Sequence, residues 1–513
     1  MKYLLIFCFG LLLTHIAFAT PQPRYYINKN GSDNNKGTRL KPFKTVQKLN
    51  TIKLLPGTKV YLAGGQIFDG TLILTAEESG TADNPILVTS YGKGMATIEG
   101  RFKQAILINS SYTILSRIKA KGAGRKSGNT TDGIVLSFTK GNRVQDVVTE
   151  GFQKSGLEVN NCSDAKILKV IARHNGGGGI NISGKWETSK NILIKDCLAE
   201  NNPGDPTNFT NHSGNGILIG GSDSVMIDHC VATNNGWDMP RIGNGPVGIW
   251  GYESKHLIIQ YCISYNNKTH KGASDGGGFD FDGGITNSII QYCLSYDNEG
   301  SGYGLFQYEG ASRWANNIMR YCISINDAKK TSGAGGILVW SSAIDSVGLH
   351  SCQVYNNFVY NQHAPAINFS KESENEGFLF ANNIFIGKDT VVNGPSSGEK
   401  FLGNVWWGIN DSSVKFRGYS NLVQWAKATG QETLNNEVKG IQANPILKGP
   451  FITTLTDPYK LNTLTGYQLQ SGSPVIDRGL NLKALFDIIV PTRDFYGNPA
   501  IKGKAADPGI AEY

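Results

Sequence analysis

The sequence predicts an all-β fold, a right-handed parallel β-helix of about ten turns over residues 85–410. Three observations carry this. Glycine supplies 63 of 513 residues, far above the roughly 7% of an average chain, which suits a protein of short strands and turns. A cysteine-centred segment recurs six times, and each recurrence is paired with a second short strand that starts after glycine.

The recurring segments read NILIKDCLAENN, VMIDHCVATNN, LIIQYCISYNN, SIIQYCLSYDN, NIMRYCISIND and VGLHSCQVYNN, centred on Cys197, Cys230, Cys262, Cys293, Cys322 and Cys352. Ile118, Val147 and Val170 fill the same slot upstream, so the slot is an inward-facing core position. The companion strands are GIVLS, GLEVN, GINIS, GILIG, GIWGYE, GFDFDGG, GLFQYEG and GILVW. Two short strands per repeat cannot close a core alone, but stacked turns bury one continuous apolar column. Right-handedness follows the rule for parallel crossovers.

Four residues after the cysteine slot stand Asn201, Asn234, Asn266, Asp297, Asn326 and Asn356. Stacked amides at a tight bend would satisfy backbone groups that the strands leave free, so these are expected to form an asparagine ladder. Side chains in a stack run parallel, which is poor geometry for disulfides. The cysteines, including Cys162 outside the ladder, therefore read as buried free thiols.

Both ends look capped. Residues 20–84 form an N-terminal cap with first strands, in which Phe43, Val46 and Leu49 share one side of a short helix. Residues 411–513 form a C-terminal capping segment that includes the helical stretch SNLVQWAKATGQE. Residues 1–19 have one lysine, a short apolar run and an Ala-Phe-Ala ending, which read as a secretory signal peptide cleaved after Ala19. No later run is long and apolar enough to span a bilayer. The expectation is a secreted or periplasmic monomer. Its formal charge of +8 is too mild for a nucleic-acid footprint but compatible with an acidic substrate.

The stretches YYINKNGSDNNKGT and KPFKTVQKLN, the repeated N-x-I-x-x-C-x-S-x-N turns and the ending SGSPVIDRGLN…DFYGNPAIKGKAADPGIAEY resemble secreted bacterial β-helix proteins of the pectin-lyase-like superfamily. The resemblance covers nearly the whole mature chain. It implies a substrate groove on the outside of the helix along parallel strands, on a fold that hosts lyases, hydrolases, epimerases and non-enzymatic adhesins.

Candidate chemistry centres on GGGFDFDGG, residues 276–284. Aligning Trp250, Phe279 and Phe306 places Gly251 and Glu253, Asp280 and Asp282, and Gln307 and Glu309 outward in three successive turns. Glu253, Asp282 and Glu309 would then stack about 4.8 Å apart, too close for all three to ionise. Glycoside hydrolysis needs such separated acid and base roles. This reading makes Asp282 the nucleophile or base and Glu309 the general acid, with Glu253 and Asp280 tuning charge or binding hydroxyls. If GLFQYEG aligns by its glycine instead, Phe306 and Tyr308 point outward and Glu309 leaves the column.

The chain thus reads as a polysaccharide-degrading enzyme, a glycoside hydrolase that needs no cofactor. The alternatives are a calcium-dependent pectate-type lyase and a non-catalytic carbohydrate-binding surface protein. In the lyase reading implied by the resemblance, Asp275, Asp280 and Asp282 would hold Ca²⁺, and Lys271, beside His270, would abstract a proton. The turn YDNEGSGYG lacks the paired aspartates of those lyases. Trp237, Arg241 and Tyr303 are further substrate-binding candidates on bordering loops, whereas His212 and His229 read as structural.

Overall fold

The computed structural model describes residues 22–513 apart from 186, 332, 344–347, 371–374 and 396–397. The expected signal peptide lies outside the described residues. Among these residues, thirteen strands stack in parallel into one face of a solenoid, from Leu72–Leu74 to Lys415–Phe416. A second sheet of parallel strands wraps the other faces. The first and last of the thirteen rungs, Leu72–Leu74 and Lys415–Phe416, lie just outside the 85–410 bounds expected for about ten turns. No helix among the described residues is long and apolar enough to cross a membrane.

The core column runs as the alternation predicts. Val147 pairs with Val170, and the cysteines from Cys197 to Cys322 are buried free thiols, each one turn from the next. Cys352 departs from the expected slot, because it pairs with Asn317 and Phe378. The position after Cys322 belongs to Asn357, whose Oδ1 accepts from the Cys322 backbone N–H at 2.9 Å.

The asparagine ladder is shifted by one residue. Asn201, Asn234, Asn266, Asp297, Asn326 and Asn356 have φ of 51 to 58°, a left-handed bend that asparagine tolerates. This bend turns the next side chain inward. Asn175, Asn202, Asn235, Asn267, Asn298 and Asp327 are fully buried or nearly so. Each amide donates to the following Oδ1 at 2.8–3.2 Å.

The ladder explains the glycines. A Cβ at Gly248 would lie 2.0 Å from Ser264 Oγ and 2.6 Å from Asn267 Nδ2. At Gly278 and Gly302 it would meet Ser295 Oγ at 2.2 Å and Ser324 Oγ at 2.3 Å. Each companion strand therefore enters the stack at a glycine pressed against the buried polar ladder, and that glycine fixes its register.

At the N-terminal end, Thr45 caps the single helical turn Val46–Leu49, which buries Val46 and Leu49 beside Phe43. The helix Leu422–Thr429 lies near the last rung, with Trp425 stacked 5.2 Å from Phe416. Beyond the terminal strand Ile441–Gln442, the rest of the 411–513 segment returns along the flank. There Tyr292 and Tyr296 donate to the carbonyls of Arg493 and Leu455.

Candidate active site

The strand Gly277–Phe281 pairs with Val247–Tyr252 and Tyr303–Gln307, and both registers follow the glycines. Ile249, Phe279 and Tyr303 are paired and inward, whereas Trp250, Asp280 and Gly304 are paired and outward. One step along, Phe281 faces the core opposite Leu305 and Gly251. Tyr252, Asp282, Phe306 and Trp340 follow outward in the next positions.

This overturns the stacked column of Glu253, Asp282 and Glu309. The aromatic-led alignment misplaced both neighbours, since Phe279 pairs with Ile249 where Trp250 was expected and with Tyr303 where Phe306 was expected, so Trp250 faces outward and Gly251 inward. Glu309 sits exposed in the following turn, where its backbone N–H donates to Ser342 Oγ. Glu253 bends away at φ 45°, and its carboxylate accepts from Ser312 N at 2.8 Å and Tyr308 Oη at 3.4 Å. Gln307 is buried, taking Gly284 N–H on Oε1 and donating to the Ser312 carbonyl, so it does not face a ligand. Tyr303 is also corrected. Its ring stacks on Phe279 inside the core, and its hydroxyl donates to the carbonyls of Cys293 and Ile323.

The outward residues line a cleft of about 770 Å³. Asp280 and Asp282 stand on its floor, flanked by Trp250 and Tyr252 on one side and Phe306 and Trp340 on the other. Asp280 is 3% exposed, and its Oδ1 is buried without a hydrogen-bond partner. Burial, followed by the Asp282 and Asp275 carboxyls, raises its pKa well above the ordinary value. Burial also pushes Asp282 up to about 7, against the opposing Gly283 N–H at 2.8 Å. Asp275 lines the same cleft with its pKa raised to about 6 by burial, and Gly245 N–H donates to it. Gly304 lets the Phe306 ring and the Asp280 carboxyl sit against the backbone, since a Cβ there would lie 2.9 Å from Asp280 Oδ1 and 2.6 Å from the Phe306 ring.

His212, read from sequence as structural, also lines the cleft, edge-on to Trp250 at 4.8 Å. Asn215 Oδ1 accepts from Trp250 Nε1 at 3.0 Å and Val247 N at 3.3 Å, which identifies Nδ2 as the group facing His212 Nδ1 at 3.0 Å. Nδ1 is therefore an acceptor, and the neutral ring carries its proton on Nε2. Burial and nearby Arg241 hold His212 down at about 4. No spacing motif marked it, because its place depends on a long loop folding over the sheet.

Arg241 lines the cleft and donates to the Thr210 carbonyl. Trp237 is 49% exposed against Arg125 and does not line the cleft. His270 and Lys271 do not line it either, and Lys271 is exposed. Among the described residues, no three His, Cys, Asp or Glu side chains converge closely enough to hold a metal ion. Asp275, Asp280 and Asp282 share a cleft without forming a calcium cage, so this arrangement does not fit the calcium ligand set considered from sequence.

The fold and cleft define a parallel β-helix protein with an outward groove on one sheet. Residues 25–326 match the family described as the Pel9A-like right-handed β-helix region, and the chain belongs to that family. No curated protein matches the chain. Among solved structures, it is similar to the GH136 lacto-N-biosidase from Eubacterium ramulus (17% identity, TM-score 0.50), over 67% of this chain and 65% of that one. It is also similar to pectate lyase Pel9A (14% identity, TM-score 0.40), over 96% and 97%. An alginate lyase from Paenibacillus sp. follows at 16% identity and TM-score 0.39, over 63% and 97%. The chain thus spans about 65% of the length of the lacto-N-biosidase, and at these identities the likeness is one of fold.

Proposed function

We propose that this protein is a polysaccharide-degrading glycoside hydrolase in which Asp280 is the general acid and Asp282 the general base. The observation that carries the reading is the pair of outward carboxyls on one strand, both with raised pKa, on the floor of an aromatic-walled cleft. Asp280, whose burial beside the Asp282 and Asp275 carboxyls favours the protonated form, can give its proton to the glycosidic oxygen as the bond to the anomeric carbon breaks. Asp282 is held near 7 and can take a proton from water, whose oxygen then bonds to that carbon. The lacto-N-biosidase, a glycoside hydrolase of family GH136, shows that the fold can carry glycoside hydrolysis.

The spacing also bears on stereochemistry. Two residues along extended chain set the backbones of Asp280 and Asp282 about 6.6 Å apart, and if their carboxyls keep that spacing they fall in the roughly 6.5–9.5 Å range of inverting enzymes. The test is incubation with a polysaccharide panel, following reducing ends, unsaturated-product absorbance, and the anomer first released by NMR. Reducing ends without absorbance and with inverted configuration are expected. Absorbance that EDTA abolishes would replace this reading with the calcium-dependent lyase, and neither signal would leave a binding protein.

A further inference from the structure

The charge inventory of the cleft identifies the kind of sugar it takes, on the reading that it is a sugar site. Among the described residues, three carboxyl residues, Asp275, Asp280 and Asp282, line the cleft against one cationic side chain, Arg241. Arg241 already spends one N–H group on the Thr210 carbonyl. His212 adds no charge, because its Nδ1 is committed as acceptor to Asn215 and burial keeps the ring neutral. Among the described residues, no lysine lines the cleft.

A uronate chain brings one carboxylate per residue. Placed here, each would be stripped of water beside acids, with a single guanidinium to compensate, and an unpaired buried charge is costly. An uncharged sugar meets a matched surface. Its apolar faces can rest on Tyr252 and Trp340, the half-buried rings on either side of Asp282. Its hydroxyls can reach His212 Nε2–H and two buried oxygens without partners, Asp280 Oδ1 and Ser370 Oγ.

We propose that the cleft selects uncharged sugars and excludes uronates, with His212 as a fixed hydrogen-bond donor to a sugar hydroxyl. The acids that exclude uronates are those that ionise toward neutral pH, Asp275 and Asp282, with Glu253 behind Tyr308 adding to the same sign, whereas Asp280 as the general acid is neutral.

The test uses the wild-type protein in calcium-free buffer and free monosaccharides, which contain no bond to cut. Binding of galactose, xylose and N-acetylglucosamine is compared by saturation-transfer NMR and titration with that of galacturonate, glucuronate and the methyl ester of galacturonate. The tightest ligand should be uncharged, and the methyl ester should bind at least tenfold better than galacturonate. That ratio should widen from pH 5.5 to pH 8 as Asp282 ionises and shrink in Asp282→Asn. In His212→Gln, which keeps a donor near the Nε2 position, affinity should fall less than in His212→Ala. A uronate as the tightest ligand overturns the proposal, as does an absence of binding by every sugar. Full activity in Asp280→Asn would instead sink the hydrolytic reading and leave this binding result standing.

Discussion

Asp280 stands directly opposite Gly304 on the next turn, where Gln307 had been expected, and a Cβ at Gly304 would lie 2.9 Å from its carboxyl. Its proposed catalytic partner is Asp282, two residues along the chain. Phe281 between them is buried in the core and anchors the strand that carries both. Asp280→Asn and Asp282→Asn should each lower kcat by at least about 100-fold, the usual range for losing a general acid or base. Circular dichroism should show both variants folded, and wild-type turnover by both would reject the pair.

Glu309 gives the opposite expectation. It is exposed in a turn, so Glu309→Gln should keep kcat/KM within about twofold of wild type. Glu253→Gln should act indirectly, by loosening the turn at Ser312 and the Tyr308 ring, and should raise KM more than it lowers kcat. Steady-state kinetics on one substrate would separate the three acids.

Stability should carry the same signature with a definite sign. Asp282 is held at about 7 in the folded chain against 3.8 for the free group, so the folded state binds its proton more tightly. The stability this gives is complete below about pH 4 and is lost as pH rises toward 7. Asp282→Asn should therefore raise Tm more at pH 8 than at pH 4.5 in scanning calorimetry. An equal shift at both would mean that Asp282 is ionised throughout. Activity should rise as pH climbs through about 7 and the base ionises.

The register can be tested at Gly278. A methyl group there meets Ser295 Oγ at 2.2 Å, so Gly278→Ala should cost about 1–3 kcal/mol of overpacking strain. The measurement is denaturant unfolding. Gly278→Ala combined with Ser295→Ala should recover part of the loss, because the clash involves that hydroxyl.

The Asn215 relay predicts a spectroscopic state for His212. Long-range ¹H–¹⁵N spectra should show the neutral Nε2–H form from pH 5.5 to 8. Asn215→Ala should release that preference while leaving the protein folded. A His212 ring that titrates near 6.5 would contradict the burial and hydrogen bonding seen here.

The β-helix was legible because its signals are local and repeated. Cysteine or β-branched residues at one slot, and a glycine before each companion strand, report core and bend wherever they occur. The same repetition misled at the margins. In each Asn-Asn pair, the sequence pattern could not tell that the first residue takes the left-handed bend and the second is buried. Cys352 likewise kept the spacing of its predecessors while occupying another column.

Sequence alone determined the solenoid, its inward cysteine column, and the importance of the strand that bears Asp280 and Asp282. Tertiary structure decided which acids meet. Side-chain period on a strand is two, so misplacing one neighbouring strand exchanges inward for outward residues. The register of Tyr303–Gln307 carried Glu309 out to solvent, Tyr303 into the core and Phe306 to the cleft wall, and that of Val247–Tyr252 turned Trp250 outward. The glycine that sets it does so through contacts with Ser295, Ser324 and the buried asparagines of the same stack. His212 and Trp340 reach the cleft only once loop and turns are assembled.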